Sequence, residues 1–317
     1  MLSDFMQNCD AIIALNQPAA DDIRGYVYNG TLLTIPNGRD VAQLGTCRVA
    51  DVSAPIKTLT FVGFISRRKN QAYLLEVMKH LPPASYHLQI IGEALEPDYS
   101  ARVVEWAQEQ GLSNVSFVGP VPYSEIPSYL ERTHLFVSAS TMEVQSLSVI
   151  EALASGTPVV GLANETIDEL VDDRVGFRLD SLTDPEGFAQ RVHEICALPQ
   201  PAYEELCHNA RRRVEHLNWS HIQEQTTAAY QRLIEQHQRP RSDVQIARII
   251  ERISSQEVQE LLVARLERLN QTLRTKVHPR SRLGLLTRLT YAHHVPRTTW
   301  FYVGLTRVVS SLIYGFS

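Results

Sequence analysis

Only four cysteines occur in the 317 residues, Cys9, Cys47, Cys196 and Cys207, and no two form a Cys-x-x-Cys pair. That sparseness argues against a disulfide framework and offers no zinc-type ligand spacing. The four read as ordinary buried or half-buried thiols in a reducing, cytoplasmic compartment, and no metal site is expected. The opening residues, MLSDFMQNCD, lack a basic segment followed by an apolar one, so no secretory leader is expected. Uncharged apolar runs long enough to cross a bilayer are missing too. The most apolar end segment, TTWFYVGLTRVVSSLIYGFS, is broken by Arg307 and falls short of the 18 or so uninterrupted residues a span requires.

Acidic residues are absent from Arg268 to the end, where eight basic ones stand. From residue 237 onward there are 13 Lys and Arg against five Asp and Glu, about +8, although the whole chain carries −5. The remainder is therefore about −13, with 17 basic and 30 acidic residues. Such asymmetry points to an anionic partner for the basic end. In HPRSRLGLLTRLTYAHHVPRTTWFY, Arg and His mix with Leu, Trp and Tyr. Basic residues near an anionic lipid surface contribute about 1 kcal/mol each, and aromatic residues suit the interface. The tail over 268–317 is thus expected to touch an anionic membrane surface, with packing on the domain or on a partner helix as the alternative. No recognised nucleic-acid module holds these charges, so no nucleic acid partner is expected.

What the sequence does contain is a substantial core, 44% hydrophobic with 21% charged residues. Over residues 10–200, short Val-, Ile- and Leu-rich runs alternate with amphipathic helical patterns. CDAIIALN (9–16), LTFVGF (59–64), HLQIIG (87–92), VSFVGPV (115–121), LFVSAS (135–140), PVVGLA (158–163) and GFRLD (176–180) read as strands. Helices are expected at NQAYLLEVMKHL, YSARVVEWAQEQG, after Ser124, at the segment containing Glu151, at IDELVDD and at PEGFAQRVHEIC. Unalternating strands between helices predict a doubly wound α/β domain with a parallel sheet, Rossmann-like in kind. Its ligands should sit at the carboxyl ends of the strands, in the loops after Val62, Ile91, Val118 and Val137.

The expected organisation has four parts. Residues 1–40 form one strand–helix unit and an Ile-Pro-Asn-Gly turn; such a unit cannot bury its own core and reads as the end of an earlier domain. Residues 56–202 form the ligand-binding domain. Residues 203–236 form closing helices, with Trp219, Ile222, Tyr230 and Leu233 turned inward. Residues 237–317 form a basic amphipathic helical tail, with apolar positions spaced three and four apart from 246 to 273.

Two stretches could carry chemistry. In MEVQSLSVIEALASGTPVV (142–160), Glu143 and Glu151 have seven residues between them. A helix starting near Ser146 would let both carboxylates line one cleft at different depths. The backbone N–H groups around Ser146 and Leu147 would then form an anion site. A carboxylate deeper in that helix suits a vicinal diol such as a ribose. In GFISRRKN (63–70), Gly63 ends a strand, and Arg67, Arg68 and Lys69 stand where basic side chains can grip a diphosphate. Taken singly, each has a blander reading: a locally paired glutamate, a solvated loop, an exposed basic turn. Gly156-Thr157-Pro158 reads as a helix stop and strand entry, Thr166 as part of a helix cap, and His134 as a structural residue.

Taken together, FVGFISRRKN, IIGE, VSFVGPVPYSEIPSYLERTHLFVSAS and EVQSLSVIEALASGTPVV fall in the order and spacing of a known family. Over about residues 9–236 the chain resembles the nucleotide-sugar-binding half of the GT-B glycosyltransferases of family 4. The resemblance implies a retaining transfer from a nucleotide-sugar, UDP- or GDP-linked, with no metal or other cofactor. It implies that Glu143 contacts the donor sugar, Glu151 the ribose and Lys69 the diphosphate. Gly63, Arg67, Arg68, Gln145, Ser146 and Leu147 are expected to complete the donor-binding site.

Two positions depart from the family pattern. Phe64 stands where the family usually has Arg, leaving Arg67 or Arg68 to supply that charge. Val144-Gln145-Ser146 replaces Gly-Phe-Gly, a form similar to that of bacterial enzymes acting on membrane lipids. The implied acceptor is a membrane lipid or a glycan. The family's N-terminal acceptor half is expected on a separate chain, or absent in an inactive fragment. The rival expectation is a non-catalytic nucleotide-sugar-binding or partner subunit.

Overall fold

A computed structural model describes residue 6 and residues 9–236, apart from 27, 29, 42–43, 45–48 and 181. The basic tail, and with it the expected helix and membrane contact after residue 236, lies outside the described residues.

Strand β1 (Ala11–Ala14) leads into helix α1 (Gln17–Gly25), and β2 (Thr31–Thr34) pairs parallel with β1. Asn16 starts α1 by accepting the N–H of Ala19 at 2.9 Å, which satisfies one of the donors every helix start leaves open. The segment Ile35–Gly38 then delivers the chain to a six-stranded sheet. Its strands are β3 (Lys57–Val62), β4 (Tyr86–Ile91), β5 (Val115–Gly119), β6 (Leu135–Ser138), β7 (Val159–Leu162) and β8 (Gly176–Leu179). Between them run α2 (Gln71–Lys79), α3 (Pro97–Glu109), α4 (Ile126–Leu130), α5 (Leu147–Ala154) and α6 (Glu165–Leu170). Helices α7 (Pro185–Cys196), α8 (Gln200–Arg213) and α9 (Trp219–Gln236) follow.

All neighbouring strands are parallel, in the spatial order β5-β4-β3-β6-β7-β8. The chain winds outward from β3 through β4 to β5, crosses back to β6 beside β3, and winds outward the other way. The order reverses between β3 and β6, the point at which sheets of this kind form a ligand crevice at the carboxyl ends of their strands. This is the doubly wound sheet the strand–helix alternation predicts.

Consecutive residues of β6 show why its sequence does not alternate. Leu135 and Val137 pack with Leu59, Phe61, Leu75 and Phe188 on one face. Phe136, between them, packs with Ile150, Leu153 and Val159 on the other. Both faces are covered, so the consecutive positions 135 to 137 are all apolar. Cys196 and Cys207 are buried thiols outside any disulfide and Cys9 is half-buried, while Cys47 lies outside the described residues. Burial pushes the Cys196 thiol up to about 12.

The last helix departs from expectation. Ile222 is buried, with Ala229 rather than Tyr230 on the inner side. Trp219 is 58% exposed and Tyr230 46%. Helix α9 begins at Trp219 itself, so that residue sits at the helix mouth beside Gly38 instead of on the packed stripe. Among the described residues no helix is long and apolar enough to cross a membrane.

Candidate functional site

The loops after β3 and β6 face each other across the reversal point. The first, Gly63–Asn70, is braced from within: Gln71, fully buried, donates to the Phe64 carbonyl at 2.9 Å and accepts from Ser66 N–H at 3.3 Å. Gly63 has φ +155°, and a Cβ there would stand 3.5 Å from Lys69 Cε and 3.6 Å from Nζ. Those are ordinary contact distances, so Gly63 packs directly against the Lys69 side chain, and its positive φ is what favours glycine there.

Lys69 Nζ lies 2.7 Å from Glu143 Oε1, and the same oxygen is 3.2 Å from an Arg68 guanidinium nitrogen. Lys69 and Glu143 are both buried, while Arg68 is half exposed. Arg68 also donates to the Met142 carbonyl at 3.0 Å, and its own carbonyl accepts from Thr141 N–H at 2.9 Å. The two loops are therefore tied side chain to backbone in both directions. Two cations against one carboxylate leave a net positive charge at the mouth of the crevice. Arg67 does not join them. Its guanidinium pairs with Glu96 at 3.3 Å, its N–H donates to the same carboxylate, and it lies over the Tyr99 ring. Of the two arginines expected to replace the charge missing at Phe64, Arg68 takes the position facing Glu143.

Helix α5 starts at Ser146 with no side-chain cap of its own. The Ser146 N–H is taken by the buried Thr166 hydroxyl at 2.7 Å, so it is not open to a ligand. Thr166 fixes the loop, and Asn164 is the cap of α6, accepting from Thr166 and Ile167 N–H. The open helix start thus begins at Leu147. Gln145 is buried next to it: its Oε1 accepts from Asn37 N–H at 2.6 Å, and its Nε2 has no hydrogen-bond partner. A buried amide donor left unpaired costs about 1–3 kcal/mol, which suits a group that meets a ligand.

Glu151 lies one turn deeper in α5, with its side chain 5% exposed. Arg39 Nε stands 2.7 Å from Glu151 Oε1, and the Tyr123 hydroxyl donates to the same carboxylate. The Arg39 guanidinium lies over the Tyr123 ring, 5.6 Å from its centre. Burial pushes the Glu151 carboxyl above the usual range, against the opposing pull of Arg39 and Tyr123. Burial and the Glu151 charge push Tyr123 up as well.

Sequence reasoning missed Arg39, Asn37 and Tyr123. All three act across 28 or more positions of chain, and the only local cue was the Pro-Asn-Gly turn before Arg39. His134 is structural: its Nδ1 accepts from Thr58 N–H at 3.0 Å, and Nε2 stands 3.1 Å from the Asp51 carbonyl. Among the described residues no group of three His, Cys, Asp or Glu converges as a metal site would require.

Residues 53–213, half the chain, match the model of the family described as glycosyl transferases group 1. Among curated proteins, the alpha-maltose-1-phosphate synthase of Mycolicibacterium smegmatis is 28% identical over 255 residues, 72% of this chain and 64% of that protein. The alpha-monoglucosyldiacylglycerol synthase of Streptococcus pneumoniae is 25% identical over 187 residues, 55% of this chain and 42% of that protein. Among solved structures, sucrose-phosphate synthase from Thermosynechococcus elongatus superposes with a TM-score of 0.66 at 25% identity, covering 74% of this chain and 61% of that one. HepE from Anabaena, solved with UDP and glucose, shares the fold with a TM-score of 0.61 at 21% identity, covering 70% and 63%. The chain spans less than two thirds of the length of these proteins. The family match falls on the same sheet whose crevice holds Lys69, Glu143 and Glu151, and the chain belongs to the glycosyl transferases group 1 family.

Proposed function

We propose that this chain provides the donor half of a glycosyltransferase that moves a sugar from a nucleoside diphosphate to an acceptor with retention of configuration. The observation that carries this reading is the Lys69–Glu143–Arg68 cluster beside the open start of α5 and one turn above Glu151. In this reading the diphosphate lies against Lys69, Arg68 and the Leu147 end of the helix. Glu143 takes a hydroxyl of the sugar, Gln145 Nε2 donates to the sugar or its phosphate, and Glu151 takes the ribose diol.

The chemistry follows from charge. Breaking the glycosidic bond to phosphate places negative charge on the leaving diphosphate. Preorganised cations and helix N–H groups stabilise that charge as it develops, and they need no reorganisation at the moment of reaction. Lys69 is a buried point charge held by Glu143, whereas Arg68 is an exposed fork that can follow the leaving group. These two cations supply the neutralisation for which other transferases use a metal.

An acceptor with an apolar portion is supported by the exposed side chains of Phe64, Met142 and Val144 at the rim, and by the basic tail composition. Two relatives carry lipid names, the diacylglycerol-directed synthase above and a phosphatidylinositol N-acetylglucosaminyltransferase subunit from Arabidopsis thaliana. A membrane lipid is the acceptor class we assign, with the protein working at the cytoplasmic membrane face.

The test is a thermal-shift titration of the full chain with UDP, GDP, ADP and their sugar conjugates, alongside Glu151→Ala. A ligand that binds only the folded state at 100 times its Kd adds about 2.7 kcal/mol. One nucleotide should raise Tm in the wild type and not in the variant. No shift with any nucleotide in a folded sample sinks the reading.

A further inference from the structure

We propose that Arg39 is a positioning residue of the nucleotide site: it holds Glu151 ionised and aimed so that the carboxylate can take a ribose diol. This rests on the reading of Glu151 given above. Arg39 lies on the linker between β2 and β3, before the 53–213 match to the family.

The linker is fixed independently of the carboxylate. Arg39 N–H donates to the Leu217 carbonyl at 2.9 Å, and Trp219 N–H donates to the Arg39 carbonyl at 2.8 Å, a short parallel bridge beside Asn218. Gly38 permits that approach, since a Cβ there would meet Trp219 Cε3 at 3.0 Å and Trp219 Cα at 3.1 Å. With its backbone clamped at the head of α9, Arg39 needs no ligand to find Glu151. The neighbouring contacts run the same way. Asn37 N–H holds Gln145 Oε1 at 2.6 Å, and Asn16 donates to the Val144 carbonyl at 2.7 Å. Three residues that precede the sheet therefore fix the segment from Val144 to Glu151.

A carboxylate offers about four lone-pair positions. Arg39 Nε stands against Oε1 as an ion pair without hydrogen-bond alignment, and Oε1 has no hydrogen-bond partner, so acceptor positions on the carboxylate stay open for a vicinal diol. Ionisation decides how well they serve. A charged acceptor makes hydrogen bonds roughly twice as strong as a neutral one, and a protonated carboxyl turns one acceptor into a donor. Burial works against the charge at Glu151, and Arg39 is the largest influence opposing it. The groups that face Glu151 are Arg39 from the linker and Tyr123 from the turn after β5, and Asp40 bears on Tyr123. Without Arg39 the carboxyl keeps one hydroxyl partner and no cation.

The experiment measures the affinity of the full chain for UDP, GDP and ADP, and for the 2′,3′-dideoxy form of whichever binds, between pH 6 and 9. Wild type, Arg39→Ala and Arg39→Lys are compared, with the ligand-free titration of the Glu151 carboxyl followed by carbon NMR. Arg39→Ala should lose at least 10-fold at pH 7 and regain most of it by pH 9, with the Glu151 titration moved upward. Arg39→Lys should restore both, and the dideoxy ligand should be insensitive to the change. If Arg39→Ala does not fold, Arg39→Gln replaces it and is held to the same two readouts. Equal or tighter binding by Arg39→Ala at every pH, with the wild type binding normally, overturns the inference alone. A wild type that binds no nucleotide overturns the donor reading, and this inference with it.

Discussion

Lys69 and Glu143 meet at 2.7 Å in a crevice that buries both, across the point where the strand order reverses. Neither residue could be buried alone: an unpaired charge in this position costs several kcal/mol. Lys69→Ala should therefore act twice. It leaves Glu143 with Arg68 as its remaining cation, so the fold should lose about 1–3 kcal/mol, read by urea denaturation. It also removes the buried point charge, so affinity for a nucleoside diphosphate should fall about tenfold or more while affinity for the nucleoside changes little. Equal loss for both ligands in calorimetry would place the diphosphate elsewhere.

Arg67 and Arg68 are neighbours in sequence with different partners. Arg68 faces Glu143, and Arg67 turns to Glu96 and Tyr99. Arg68→Ala should weaken diphosphate binding by about tenfold at low salt, and by less as salt screens this half-exposed side chain. Arg67→Ala should leave affinity within about twofold, since surface pairs of its kind contribute about 0–1 kcal/mol. A larger effect from Arg67 than from Arg68 would contradict this assignment of the two side chains.

His134 gives the fold a dependence on acid. It is buried, accepts from Thr58 N–H, and is held below the ordinary histidine range chiefly by burial. Because its folded pKa is depressed, its contribution is fully present above the unfolded value of about 6.5 and is lost as pH falls through the folded one. The stability difference between wild type and His134→Gln should therefore shrink on acidification below about pH 6.5. A difference that stays constant from pH 8 to pH 5 would show that His134 does not titrate with folding.

The sheet was legible in the sequence because its signal is local and repeated. Apolar runs such as LFVSAS and PVVGLA state burial on both faces without reference to anything distant. Glu143, Glu151 and Lys69 stand near a strand end or a helix start, but local position alone does not single them out. The order and spacing of the motifs that resemble a known family do, and the fold brings Lys69 and Glu143 together. Arg39 and Tyr123 carry no such mark. They reach Glu151 only because the linker is clamped to α9 and β5 is placed beside β4, facts that exist in three dimensions. The inward face of α9 failed differently. Trp219 and Tyr230 are large and apolar, and the pattern assigns them to the core, but the clamp at Arg39 turns Trp219 to the helix mouth. Nothing near Ser146 in the sequence marks its N–H as occupied, because the Thr166 hydroxyl that accepts it lies 20 positions away.

Gly92 tests whether the loop that carries Lys69 depends on how closely two strands end together. It has φ +145°, and a Cβ there would fall 2.0 Å from the Gly63 carbonyl oxygen and 2.7 Å from the Gly63 carbonyl carbon. Backbone cannot yield as a flexible side chain can, so Gly92→Ala must push the end of β3 away from the end of β4. Backbone strain and overpacking of this kind cost about 1–3 kcal/mol each, and the displaced residue, Gly63, is packed against the Lys69 side chain. Gly111 is the control. It also has a positive φ, +64°, but nothing stands within 4 Å of its added Cβ. Gly111→Ala should cost about 1 kcal/mol and leave ligand affinity unchanged, since only backbone preference is at stake. Gly92→Ala should cost more and weaken diphosphate binding in whatever fraction folds. If the two variants lose the same stability and both bind normally, the approach of Gly63 to Gly92 does not shape the site, and Lys69 is held by Glu143 alone.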